Sequence, residues 1–150
     1  MKSVVAAAMF CFVTACSLSP GSSSNSSPSG SPLAKASGQL DAQVPMPPSF
    51  PGDVPIYPRA RLTAAAGFPS SGPTSWGMEW ETLDSVAKVQ AYYAQNMNKG
   101  DWTITFTTQS SDSFAARFAR KSDSHINGTL ASNRANGVTK ILMSLLSPSS

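Results

Sequence analysis

The sequence predicts an α+β fold: one antiparallel sheet of five or six strands with a single helix packed on one face, in the order ββαββββ. Three observations carry this. Around residue 78, bulky Trp76, Met78 and Trp80 alternate with Gly77, Glu79 and Glu81, the period of a half-buried strand. From 84 to 98 the period changes, and Val86, Val89, Tyr93 and Met97 fall on one helical stripe. Beyond Gly100 the two-residue period returns and repeats, with turn-forming residues between its runs.

The elements follow in order. The stretch "SFPGDVPIYPRARL" places Pro51, Pro55 and Pro58 around Val54, Ile56 and Tyr57, so the lead-in runs extended and pins its apolar residues before the first strand. Leu62, Ala64, Ala66 and Phe68 alternate as that strand, and Gly67 to Pro73 form a loop to the second. Asp84 or Ser85 caps the helix, and Lys99-Gly100 ends it with a basic last turn and a left-handed stop. Trp102, Ile104, Phe106 and Thr108 alternate with Thr103, Thr105 and Thr107 in the third strand. Phe114, Ala116 and Phe118 alternate with Ala115, Arg117 and Ala119 in the fourth.

A turn near residues 122–124 leads to a weaker strand through Ile126, Gly128 and Leu130. Asn136-Gly137 signals a hairpin before Val138 to Leu146, with Asn127-Gly128 as the competing turn. The three tryptophans, Met78, Phe106, Phe114 and Phe118 share a core with Val89, Tyr93 and Met97.

Ahead of this domain, which spans 52–147, composition changes twice. Lys2 precedes an apolar run from Val4 to Val13 that is shorter than the roughly 20 residues a membrane-spanning helix needs. Residues 1–15 thus have the character of a signal peptide. From Ser17 to Pro51, Ser, Pro and Gly dominate and large apolar side chains are scarce, so this stretch is expected to stay disordered. As a coil it reaches about 30 to 35 Å. Residues 148–150 form a short disordered tail.

Between the apolar run and the serine-rich one stands Cys16, preceded by Val13, Thr14 and Ala15. This pattern resembles the lipobox of bacterial lipoproteins. The resemblance implies that Cys16 becomes a lipidated N-terminus, with the chain held on the outward side of an envelope membrane, periplasmic or extracellular. Two or more acyl chains anchor stably where one does not. Ser17 carries no aspartate retention signal. Cys11 leaves with the signal, and since the chain has 2 cysteines the mature protein keeps no disulfide and no thiolate site outside Cys16.

The folded part is similar to a module of exported bacterial lipoproteins, with a Val-Pro-x-Tyr-Pro-x-Ala lead-in, a Thr/Asp-Ser helix start, a Tyr-Tyr pair and a Gly-x-Trp exit. Val54, Pro55, Tyr57, Pro58 and Ala60 match the lead-in, Asp84 and Ser85 the helix start, and Tyr92 and Tyr93 the pair. Arg59 replaces the commoner glycine, and Asp101 intervenes between Gly100 and Trp102. The resemblance covers roughly residues 52–120 and speaks to fold more than to activity.

Charge narrows the function. One of the 11 Lys+Arg, Lys2, lies in the leader, while all 8 Asp+Glu follow Cys16, so the mature chain is nearly neutral. That argues against nucleic acid as a partner despite a pI near 9. The sequon asparagines Asn25 and Asn127 stay bare in a bacterial lipoprotein. No pattern calls for a metal or another cofactor.

Thr103, Thr105 and Thr107 beside Arg117 and Lys121 make a basic, hydroxyl-lined sheet face, the best candidate for a binding site, although an uncovered sheet face has to be polar in any case. Tyr92, beside the buried stripe, is a further candidate. Glu79 and Glu81 share one face as a carboxylate pair, without an accompanying calcium loop or the cleft-spanning separation a glycosidase requires. His125 follows Asp123 at a turn, with no nucleophile specified beside it.

The preferred function is therefore a non-catalytic, membrane-anchored binding module for an envelope protein, glycan or small ligand. An envelope hydrolase using Glu79, Glu81 or His125 is the first alternative. A structural spacer or assembly partner is the second.

Overall fold

A computed structural model describes residues 38–148. The expectations for the leader, for Cys16, for the first part of the tether and for residues 149 and 150 lie outside the described residues. Within them, six strands and one helix follow as β1 (Arg61–Phe68), β2 (Thr74–Thr82), α1 (Val86–Asn96), β3 (Trp102–Gln109), β4 (Ser113–Arg120), β5 (Asn127–Ala135) and β6 (Val138–Ser147). All pair antiparallel in one sheet of spatial order β1-β2-β6-β5-β4-β3, an α+β fold.

β1 and β3 are the two edges of the sheet, and α1 connects β2 to the far edge strand β3. Its stripe, Val89, Tyr93 and Met97, joins one apolar cluster with Trp76, Met78, Trp80, Trp102, Phe118, Leu130 and Ile141. Burying each such side chain contributes roughly 1.5–3 kcal/mol. Ser85 is the N-cap and accepts from the Lys88 N–H. The turn after β5 is Asn136-Gly137, with φ of 50° and 78°, so the hairpin takes the Asn-Gly turn and Asn127-Gly128 lies inside β5 instead.

Four details depart from the sequence expectations. The helix stop is not a left-handed glycine, because Gly100 is not among the described residues with positive φ. The Met97 N–H instead bonds the Tyr93 carbonyl, and Lys121 Nζ donates to the Asn98 and Gly100 carbonyls at 3.1 and 2.8 Å, taking up backbone acceptors beyond the helix end.

In β1 the pairing shifts between Leu62 and Ala64, so Leu62 faces the core while Ala64 and Ala66 pair with Glu79 and Gly77 on the opposite face. In β3 a like shift between Phe106 and Thr108 breaks the threonine alternation at Thr107.

The fourth concerns the tether, expected to stay loose as far as Pro51. Residues 38–50 pack on the domain, so the folded part begins before residue 52. The Gly38 N–H bonds the Asn136 carbonyl at 2.8 Å, the Asp41 N–H bonds Glu81 Oε2 at 2.7 Å, and the Val44 N–H bonds the Leu62 carbonyl at 2.9 Å. The strap ends with Phe50 edge-on to Trp76 and Trp80 at 5.7 and 6.4 Å between ring centres. Phe50, with the partly buried Val44 packed against the same core, thus secures the segment, since burying these apolar side chains offsets the cost of ordering it.

Candidate functional site

One sheet face carries the buried cluster that the helix stripe joins, and the other presents the alternate residues of each strand. On β3 and β4 these are Thr103, Thr105 and Arg117, and on β5 Asn127 and Thr129, because Thr105 pairs with Arg117 and Arg117 with Thr129. Together they line a cleft of about 480 Å³. The sequence reading missed Asn127 and Thr129, which become visible only once the register of β5 on β4 is known.

The electrostatics of the cleft are one-sided: its lining includes a guanidinium and no carboxylate. Elsewhere, cations are engaged. Arg59 and Lys88 meet Asp84, Arg120 meets Asp53 and Asp101, and Lys140 meets Glu79 at 2.6 Å. Arg61, Lys121 and Arg134 donate to backbone carbonyls, and Lys99 to Asn96. Arg117 alone among the lysines and arginines of the described residues has no partner among them. A guanidinium flanked by three threonine hydroxyls is suited to an oxyanion such as a phosphate, sulfate or carboxylate, while Asn127 donates its side-chain amide to the Ser124 and His125 carbonyls.

The other sequence candidates fall elsewhere. At the β3 bulge, Thr107 donates its hydroxyl to the Ala115 carbonyl at 3.2 Å. Lys121 fastens the helix exit. Tyr92 donates to the Ile56 carbonyl at 2.7 Å and stands edge-on to Tyr57 and Tyr93, so it joins the lead-in to the helix.

Glu79 and Glu81 both approach Lys140, at 2.6 and 3.4 Å, and Glu81 is fully buried rather than solvated. The Glu79 hydrogen bond is the main reason that the Lys140 ammonium is held above its ordinary value. His125 lies in a turn where its N–H bonds Asp123 Oδ1, and it lines a different cleft beside Pro73 and Pro148. Glu79 lines one cleft and His125 another, and Glu81 lines neither of these two.

Trp80, Tyr93, Met97, Trp102 and Leu130, all fully buried, belong to the one core cluster that the helix stripe joins. Burial pushes the Tyr93 hydroxyl far up, so it stays protonated at any physiological pH.

The model of one family, described as START domain-like, matches residues 62–148, over half of the chain. This chain belongs to the START domain-like family. The match runs from the beginning of β1 to the end of β6, taking in the whole sheet, the helix and the threonine–arginine cleft, and it marks this region as a ligand-binding domain. Neither a curated protein nor a solved structure matches the chain.

Proposed function

We propose that this chain is an exported lipoprotein, anchored to an envelope membrane through Cys16, whose START domain-like domain binds an anionic ligand non-catalytically on its open sheet face. The observation that carries the reading is Arg117, a cation with no partner among the described residues, set in a cleft with Thr103, Thr105, Asn127 and Thr129. Thr103 and Thr105 supply hydroxyl donors, and Arg117 supplies charge and a planar fork of N–H groups. The domain family supports ligand binding, and the pattern around Cys16 supports the anchor.

The test of the site is calorimetric titration of the full chain with inorganic phosphate, beside Arg117→Gln. Binding that falls at least about tenfold in the variant supports the reading, as expected for a charge-assisted contact. Equal binding by both proteins sinks it. The anchor is tested by labelling cells with an alkyne fatty acid, where Cys16→Ser must abolish the label.

A further inference from the structure

We propose that the open face takes an elongated ligand carrying an acidic group at one end and a flat ring system at the other, laid across the strands from Arg117 towards β1. This rests on the anion site above and specifies its ligand class.

Five successive pairings carry one row of residues across the whole sheet. Thr105 faces Arg117, Arg117 faces Thr129, Thr129 faces Ser144, Ser144 faces Gly77, and Gly77 faces Ala66. Arg117 is the only large side chain in the row, so the remainder forms a groove floor. With strands about 4.8 Å apart, the row from Arg117 to Ala66 measures about 19 Å.

A second cleft of about 360 Å³ lies along this floor, bounded by Gly77, Ala64, Ala131 and Leu142. Thr129 lines both clefts, so the two adjoin, and the row of small residues runs from one to the other as a shallow trough.

The chemistry changes along the trough. Guanidinium and hydroxyls occupy the β3 to β5 end, whereas Gly77, the methyl groups of Ala64 and Ala131 and the 43 % exposed Leu142 dominate the β6 to β1 end, together with the Ser144 hydroxyl and the Glu79 carboxylate. An acidic group is directed to the Arg117 end, because the lining of the first cleft has no carboxylate whereas that of the second includes Glu79. The flat body follows from the floor. Gly77, Ala131 and Ala64 raise nothing above a methyl group, so a ring makes contact over its whole face, while an alkyl chain in so open a groove leaves much of its surface wet.

Gly77 provides a separate argument. A Cβ built on it meets nothing within 4 Å, and its φ is not positive. Neither packing nor backbone conformation requires glycine there, yet glycine in a strand interior weakens the strand and often marks close approach of a ligand.

The test is titration of the full chain with 1-naphthyl phosphate and, separately, inorganic phosphate. The ring compound is expected to bind at least about tenfold more tightly. Gly77→Phe, shown to be folded by circular dichroism, should remove that advantage and leave phosphate binding unchanged. Gly77→Val serves the same purpose if the larger side chain impairs folding.

Equal affinity for the two probes, or an advantage that survives both substitutions, overturns the ring body while leaving the anion site standing. Binding to phosphatidylglycerol vesicles that 1-naphthyl phosphate does not displace also overturns it, in favour of a membrane surface. If Arg117→Gln changes neither titration, the anion site itself fails.

Discussion

Gly128 and Phe118 are paired so closely across β5 and β4 that a Cβ built on Gly128 would stand 2.5 Å from Phe118 Cζ and 2.1 Å from the Ser144 carbonyl oxygen. The buried ring of Phe118 therefore occupies the space a side chain at 128 would need. Gly128→Ala should destabilise the domain by about 3 kcal/mol, since backbone as well as ring must shift. Gly77→Ala, with open space around its Cβ, should change stability by less than about 1 kcal/mol and in the favourable direction. Urea unfolding of the two variants gives the comparison, and similar losses would contradict it.

The strap offers a second prediction. Phe50 is 7 % exposed and stands against two tryptophans, so Phe50→Ala should cost about 3 kcal/mol. A chain shortened to start at residue 52 should melt at a lower temperature than one starting at 38. Identical melting would mean that the strap contributes nothing to the fold.

Acid should weaken the domain through two carboxylates. Hydrogen bonds from Lys88 and then Tyr57 hold Asp84 below its ordinary 3.8, and hydrogen bonds chiefly from Ser122 do the same for Asp101. Both favour the charged form more in the folded state than in the unfolded chain. The stability they contribute is thus fully present above 3.8 and is lost as pH falls through their lowered folded values. Urea midpoints measured from neutral pH into this range should decline, and the decline should be shallower in Asp84→Asn.

Lys140 responds in the opposite direction. Its ammonium is raised above 10.5, mainly by the Glu79 hydrogen bond, so its contribution is complete below that value and is lost as pH rises through the higher folded one. Lys140→Met should remove this alkaline loss from the urea midpoints while leaving the acid decline in place.

Arg120 joins three parts of the chain. Its guanidinium lies 4.7 Å from the centre of the Trp102 ring and bridges Asp53 at 2.6 Å and Asp101 at 3.2 Å, while Trp102 Nε1 donates to Asp53. A planar fork is what permits stacking and two carboxylates together, so Arg120→Lys should not restore what Arg120→Ala loses. Near-ultraviolet circular dichroism of the tryptophans and thermal unfolding should report both variants as altered, the lysine one nearly as strongly.

Trp76, Met78 and Trp80, the Val89–Tyr93–Met97 stripe and the Asn136-Gly137 turn are legible in the sequence, because pleat, helical pitch and turn conformation each act over a few residues. The same local periods predict one helix between two and four strands. They fail at Thr63 and Thr107, where an added residue turns the following side chains to the other face, and at Lys121, whose spacing from Arg117 implies a shared face that the helix exit takes from it.

The fold class, most of the aromatic core side chains, and Arg117, Thr103 and Thr105 as parts of a polar face can be read from local patterns. That Asn127 and Thr129 join them, that Glu81 is buried, that Phe50 brings the strap into the core, and that Gly77 lies in line with Arg117 follow instead from the folded arrangement. Each of these depends on which strands are neighbours and in what register, and that is settled by contacts between residues far apart in the chain rather than by any local period.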